Sequence, residues 1–327
     1  MIGVRTGSRL HFGLLSPAAP ESLPRTGAAP RRFGGVGLMV EAPSLSLSMR
    51  PANSWSAKGP LGERALSFVR RFMKDLPEGL LAPQCVLIEQ APPEHAGFGV
   101  GTQLGLAVGR ALAGLANFKD LSIIDLARRV GRGARSGLGV HGFAQGGFLV
   151  EAGKPDAESI SPLLTRVAFA DSWRVVLVLP SRQPGLHGDA ETRAFQHLET
   201  KSSETDYLCR LILLGLLPAL IEQDIEAFGE ALHEFNARAG KAFAFAQGGI
   251  YANAQVAEVI EFTRSQGVKG VGQSSWGPAV FAITADEEQA KDLANRCRGH
   301  FGLESQDVIV TRARNVGAET RRGEEAG

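Results

Sequence analysis

A chain of 327 residues, 44% hydrophobic and 21% charged, carries enough apolar material for about two globular domains. Its 35 Lys and Arg against 34 Asp and Glu leave no basic field of the kind that recruits nucleic acid or anionic membrane. Cys85, Cys209 and Cys297 are too widely spaced for a metal site and argue against a disulfide framework, so they read as small buried side chains in a reducing compartment, the cytoplasm.

The N-terminal stretch MIGVRTGSRLHFGLL is broken by Arg5 and Arg9 and lacks the apolar core of a signal peptide. Strand character follows at residues 10–15, 36–40 and 45–49, with a loop rich in Pro, Ala and Gly over 16–30 as a candidate lid. A helix is expected over 62–74, where Leu66, Val69 and Phe72 or Met73 supply the apolar face, and then a strand over 85–90. That strand runs into PPEHAGFGVGTQLGL at 92–106. Glycines at 97, 99 and 101 let backbone N–H groups turn inward, and the first turn of the next helix adds unpaired donors and the positive end of its dipole. A phosphate or pyrophosphate is the natural guest; the plain alternative is a tight strand-to-helix turn that binds nothing. Thr102, at the junction, either caps the helix or binds a phosphate oxygen or its metal.

Beyond the loop, Leu104, Val108, Leu112 and Leu115 recur at helical spacing while Gly105 and Gly109 share a face. Interior glycines cost about 1 kcal/mol each relative to alanine, so this helix has a close neighbour. A helix over 122–131 precedes the glycine-dense stretch 133–153, read as tight turns ahead of a strand at 147–151. A domain boundary falls near Ala170, before a strand at 173–179. Helices are expected over 205–220, 225–238 and 251–266, then a hairpin-like segment over 267–284, a helix at 287–298 and a strand at 308–312. The apolar run 211–221 is about half of the roughly 20 residues that span a bilayer and reads as a buried helix, facing either a core or a dimer partner. The pattern gives a two-domain α+β protein, with domains over 1–170 and 171–316 and a disordered tail over 317–327.

In this order, SRLHFGLL at 8–15, PPEHAGFGVGTQ at 92–103 and GVGQSSWGPAV at 270–280 resemble the three motifs of the GHMP kinase superfamily. With RRFGGVGLM at 31–39, GVGTQLGLAVGRAL at 99–112, GRGARSGLGVHGFAQGGFLV at 131–150 and QGGIYA at 247–252, nearly the whole chain resembles the β-ribofuranosylaminobenzene 5'-phosphate synthase family. The resemblance implies a GHMP-kinase-like fold, with an N-terminal phosphate-loop domain, a C-terminal ferredoxin-like domain and the active site between them. It also implies an enzyme of tetrahydromethanopterin synthesis that condenses 5-phosphoribosyl 1-diphosphate with 4-aminobenzoate or 4-hydroxybenzoate, releasing carbon dioxide and pyrophosphate.

Two departures from the kinase pattern bear on this. The stretch 135–141 lacks the aspartate that many of these kinases place after a Ser-Gly turn, and Val100 and Gly101 stand where the kinases usually have serines. Both favour a phosphate-binding scaffold reused for other chemistry. An ATP-dependent small-molecule kinase is the alternative, and a ligand-binding protein without turnover is a third reading. The segment by which ordinary phosphoribosyltransferases hold this donor, a strand ending in paired acidic residues with a Thr-rich loop, is not found in the sequence.

The synthase chemistry gives the candidate residues their roles. Gly97, Gly99, Gly101, Thr102 and Gln103 are assigned to the leaving pyrophosphate, together with Mg²⁺. Gly272, Gln273, Ser274 and Ser275 bring further donors, or form a structural hairpin. Arg128, Arg132 and Arg135, with Ser136, are candidates for the 5'-phosphate and the aromatic carboxylate, and Arg9, Arg31 and Arg32 are alternatives. His11 and His141, ahead of His95, are the candidate bases for the para substituent. Glu94 either binds Mg²⁺ or caps a turn; Phe12, Phe98 and Trp276 are either an apolar wall around the departing carbon dioxide or plain core.

Overall fold

A computed structural model of the chain describes residues 1–17, 31–118, 120–181, 183, 185–186, 188–196, 198 and 201–323. The candidate lid, past its first two residues, lies outside them. β1 (Ile2–Ser16) and β2 (Phe33–Pro51) pair antiparallel along almost their full length. Register shifts interrupt the pairing between Thr6 and Ser8 and between His11 and Gly13. Such bulges bend a strand and re-aim its side chains, and the second lies within the first motif.

β3 (Ser56–Lys58), α1 (Gly62–Met73) and β4 (Gln84–Gln90) follow, then α2 (Val100–Leu115), α3 (Ile123–Arg129), α4 (Leu138–Gln145), β5 (Phe148–Glu151) and β6 (Leu163–Val167). The second half runs β7 (Arg174–Val178), α5 (Gly188–Gln196) and α6 (Ser202–Leu211), which passes through a π-helical turn at Ile212–Leu216 into α7 (Leu217–Glu222). Then come α8 (Ile225–Lys241), α9 (Ala244–Gln247), α10 (Ala254–Ser265), β8 (Val271–Gln273), β9 (Val280–Thr284), α11 (Glu287–Phe301), β10 (Val308–Thr311) and β11 (Glu319–Arg322).

Two sheets result. One has the order β11-β1-β2-β4-β3, with β5 also paired to β2 and β6 to β5; the other is antiparallel in the order β10-β7-β9-β8. Ile2, Val4, Leu45, Leu47 and Met49 pack on Phe68, Phe72 and the apolar face of α2 to form one core. Leu10, Phe12, Val36 and Leu38 join a second core with Phe169, Trp173, Phe228 and Phe281, which ties the first sheet to the second half of the chain. β1 is therefore covered on both faces, which is why its burial does not simply alternate.

The close neighbour of α2 is found. A Cβ on Gly109 would stand 2.8 Å from Val130 Cγ1 and 2.9 Å from Leu126 Cδ1, so the missing side chain lets α3 and the turn after it pack on the helix backbone. Three expectations need correction. The stretch read as tight turns contains α4, whose Leu138, Val140 and Phe143 are fully buried, so burial overrides the poor propensity of its glycines. Residues 319–322, expected in a disordered tail, form a strand against Ile2–Arg5; the charged sequence ETRR suits a sheet edge. The apolar run 211–221 is only half buried, with Leu213, Leu214 and Ile221 at 63%, 73% and 67% exposure. β6 and α5 were not anticipated.

Candidate active site

Backbone hydrogen bonds sew the three glycine-rich motifs into one unit. Arg9 N–H donates to Phe98 O (3.0 Å), Ser275 N–H to His11 O (2.9 Å) and Ala279 N–H to Ala96 O (3.1 Å). Ser274 Oγ accepts from His11 N–H (3.1 Å) and donates to Gly97 O (2.7 Å). Gly97 has φ +97°, and a Cβ there would collide with the Ser274 carbonyl, so glycine is required where the loop crosses the late turn. Asn236 of α8 fixes the other side: its Nδ2 donates to Phe12 O (2.6 Å) and Gln273 O (2.8 Å), and its Oδ1 accepts from Gln273 N–H (2.9 Å).

The unit walls a cavity of about 520 Å³. At one end the N-terminus of α2 opens into it at Gly99, Val100, Gly101 and Thr102; the Thr102 N–H donates to Gly99 O (3.1 Å), and the amides before it precede the helix ladder. Arg9, Arg64 and Arg132 line the same end. Arg9 Nε and Nη1 and Arg132 Nε are buried without a hydrogen-bond partner among the described residues. Burial lowers the Arg9 guanidinium to about 10 despite the negative charges of Glu151 and Glu191. Burial and then the charges of Arg64 and Arg71 lower Arg132 to about 10 as well, while its guanidinium lies 4.7 Å from the centre of the Phe68 ring. Cations crowded this way, with donors unused, are set for an anion.

The other end is aromatic. Phe195, Phe243 and Trp276 meet edge to face, with ring centres 5.6 Å apart for Phe195 and Phe243, 5.9 Å for Phe195 and Trp276, and 4.7 Å for Phe243 and Trp276. Arg135 lies 5.0 Å from the centre of the Phe195 ring and pairs with Glu191, whose Oε1 also accepts from Trp276 Nε1 (3.1 Å).

Two ionisable groups are perturbed, one lining the cavity and one behind its wall at the Ser136-Gly137 turn. His11 lines it, and burial, then the Arg9 charge, hold its imidazole well below 6.5, hence neutral. Glu151, fully buried on β5, accepts from Gly137 N–H at 2.5 Å, and its Oε1 has no partner among the described residues. Burial raises its carboxyl from 4.5 to about 7, against the nearby Ser136 hydroxyl, the Gly137 N–H, the nearby Ser161 hydroxyl and the Arg9 charge, which favour the ionised form. A carboxyl missing from the Ser136-Gly137 turn in sequence is thus delivered to that turn from the neighbouring strand.

Of the candidate residues, Arg9, His11, Gly97, Gly99, Gly101, Thr102, Arg135, Ser136 and Ser275 line the cavity, as do Arg132, His95, Gln273, Phe12, Phe98 and Trp276. Five do not. Gln103 is engaged in holding the scaffold, accepting from Thr6 Oγ1 (2.8 Å) and donating to Gly139 O (2.9 Å). Gly272 packs against the Asn236 side chain, and Ser274 is the stitch already described. Glu94 pairs with Arg64 outside the cavity wall. His141 is buried in α4 with Nε2 2.7 Å from Ser161 O, away from the substrate space. Arg128 pairs with Asp125 on an exposed face, and Arg31 donates to Gly153 O (2.9 Å). Arg64, Glu151, Glu191, Phe195, Asn236 and Phe243 escaped the sequence reading because each stands outside the glycine motifs, on an element brought in by the fold. No group of three or more His, Cys, Asp or Glu side chains among the described residues could hold a metal ion.

Fold and site define the class: this is a GHMP-kinase-like fold, α+β with two sheets. Residues 216–302 match the family described as GHMP kinases C terminal. The chain is similar in structure to homoserine kinase from Cytophaga hutchinsonii (TM-score 0.64, 14% identity, 98% of this chain and 97% of the other). It is likewise similar to mevalonate diphosphate decarboxylase from Enterococcus faecalis (TM-score 0.66, 13% identity, 98% and 99%). At those identities the likeness concerns the fold alone. The chain belongs to the beta-ribofuranosylphenol 5'-phosphate synthase family: it is 31% identical to the synthase of Archaeoglobus fulgidus over 98% of this chain and 99% of the relative. Identity to the synthase of Methanothermobacter thermautotrophicus is 30%, over 96% and 97%.

Proposed function

We propose that this protein condenses 5-phosphoribosyl 1-diphosphate with a para-substituted benzoate, releasing carbon dioxide and pyrophosphate, in tetrahydromethanopterin synthesis in the cytoplasm. The relatives' name specifies a ribofuranosylphenol, which favours 4-hydroxybenzoate over 4-aminobenzoate as acceptor. The observation that carries the reading is Arg9, whose Nε and Nη1 are buried and unpartnered beside the open N-terminus of α2. Such donors fit the diphosphate of the donor, and they stabilise it most as negative charge develops on departure.

The reaction needs three further things from the chain. The ring carbon bearing the carboxylate must face the anomeric carbon, so the acid lies between the cationic end and the aromatic end. Arg64 and Arg132, next to the loop, fit the second anionic group, the 5'-phosphate. His11 starts neutral, and a diphosphate that offsets the neighbouring Arg9 charge makes its imidazole a better hydrogen-bond acceptor; no proton is lost at the reacting carbons, and no proton transfer is assigned to it. Magnesium accompanies the diphosphate in this proposal, with the Thr102 hydroxyl at the wall and Glu94 held outside it by Arg64. The described residues do not form a magnesium site by themselves, and no step is assigned to the ion.

The test is pyrophosphate formation from 5-phosphoribosyl 1-diphosphate and 4-hydroxybenzoate, with product mass by mass spectrometry and a parallel incubation with ATP alone. A ribosylated phenol phosphate formed without ATP supports the reading. ATP consumption with no such product would transfer it to a kinase.

A further inference from the structure

The aromatic end of the cavity contains one feature that the reading above does not use. Glu191 is the acidic side chain lining the cavity among the described residues, facing a wall otherwise supplied with arginine, histidine and aromatic groups. It is held on one oxygen: Arg135 and Trp276 Nε1 both bind Oε1. Arg135 is itself fixed by Thr192 Oγ1 (3.3 Å) and by the Phe195 ring. Oε2 has no hydrogen-bond partner among the described residues, and the bond from Trp276 holds the carboxylate at the edge of the Phe195, Phe243 and Trp276 cluster. A carboxylate so oriented, at the edge of an aromatic slot, accepts a hydrogen bond from a donor on a bound ring.

We propose that this end is the acceptor subsite and that Glu191 is a catalytic residue that accepts the proton of the para substituent. The proposal rests on the synthase reading. It gives a para hydroxyl or amine a role, since both are donors and an unsubstituted ring is not. The ring packs against the cluster of Phe195, Phe243 and Trp276 with its carboxylate-bearing carbon toward the α2 end.

As the bond between that carbon and the anomeric carbon forms, the bond from the anomeric carbon to the diphosphate oxygen breaks and its electron pair leaves with pyrophosphate. The para O–H bond breaks, its proton moves to Glu191 Oε2, and the oxygen's electron pair is drawn into the ring as a carbonyl. The bond to the carboxylate then breaks, carbon dioxide departs and its electron pair restores the aromatic ring. The proton returns from Glu191 to the oxygen. Protons and electrons balance without an oxidant or a further reactant.

Calorimetric titration of the full chain with 4-hydroxybenzoate, 4-aminobenzoate and benzoate, without the donor, tests the binding half. The native protein is expected to favour the two para donors over benzoate by roughly tenfold or more, the yield of one hydrogen bond to a charged group. Glu191→Gln should bring the three acids to within about threefold of one another and lower kcat roughly a hundredfold, the range of a lost acid–base group. Glu191→Asp should keep the order of preference, and Phe243→Leu should raise KM for the acid while leaving KM for the donor in place. A role for Glu191 only in holding α5 would weaken all three acids alike. Preference for para donors surviving in Glu191→Gln, or benzoate binding as well as 4-hydroxybenzoate to the native protein, overturns the subsite while leaving the synthase reading intact. Absence of donor-dependent carbon dioxide release from the native protein overturns the reading itself and the subsite with it.

Discussion

Replacing Arg9 with methionine removes the guanidinium from the cationic end of the cavity while keeping most of its bulk. In the native protein Arg9 Nε and Nη1 are buried with no partner among the described residues, so both are available to a phosphate oxygen. A hydrogen bond to a charged group contributes about 1.5–3 kcal/mol net, and two such bonds, discounted for the water that reaches an open cavity, give about 3 kcal/mol. At about 1.4 kcal/mol per factor of ten, this is roughly a hundredfold loss of pyrophosphate affinity. The ligand-free protein should respond in the opposite direction, because an uncompensated buried charge does not stabilise a fold and a shape-matched apolar group often does. The expected pair of results is therefore weak pyrophosphate binding by calorimetry and a Tm no lower than native without ligand. Pyrophosphate should raise the Tm of the native protein and leave that of Arg9→Met nearly unchanged. Pyrophosphate binding to Arg9→Met within about threefold of native would refute the assignment of this end to the diphosphate.

Other consequences follow from the same geometry. Glu151 has its carboxyl raised from 4.5 to about 7, so between those values the folded state holds a proton that the unfolded state has released. Stability should fall as pH rises through that window and level off above it, and Glu151→Gln should remove about 3 kcal/mol of this loss, seen as convergence of urea curves at pH 5 and pH 8. His11 shows the opposite dependence: with its folded value held well below 6.5, stability should fall as pH drops below 6.5, and its imidazole NMR signals should stay those of the neutral ring at pH 6. Asn236→Ala leaves the Phe12 and Gln273 carbonyls and the Gln273 amide without their partner and should cost about 2–4 kcal/mol in chemical unfolding. Gly109→Ala drives a methyl into Val130 and Leu126 and should cost about 1–3 kcal/mol; an unchanged midpoint would show that α3 is free to move away.

The α+β fold and the cationic end of the site were legible because the glycine motifs carry local physical demands. Gly97 and Gly99 mark backbone that turns to positive φ, and the apolar spacing after them marks α2, so loop and helix could be placed together. The same argument pointed to Arg9, His11, Thr102, Ser136 and Ser275, which ride on those motifs and line the cavity. It could not separate residues that face the cavity from those that hold it together. Gln103 and Ser274 look alike in sequence to Thr102 and Ser275, and only the packing assigns the first two to the scaffold. His141 failed for a related reason: a histidine inside a motif can serve the helix that carries it, as its contact with Ser161 does. Glu151 stands one residue past the motif at 131–150, on a strand that pairs with β2, and Glu191 comes from a helix with no motif whose side chains are largely exposed. The strand was expected, but its pairing with β2 across more than a hundred residues of chain leaves no local signal, so nothing in sequence showed that the Glu151 carboxyl serves the Ser136-Gly137 turn.

The most direct measurement is the release of labelled carbon dioxide from carboxyl-labelled 4-hydroxybenzoate, with and without 5-phosphoribosyl 1-diphosphate, and with pyrophosphate counted in the same tube. The account predicts that carbon dioxide appears only with the donor and in equal amount to pyrophosphate. Carbon dioxide without the donor, or pyrophosphate without carbon dioxide, would contradict a reaction in which ring attack, diphosphate departure and decarboxylation belong to one turnover.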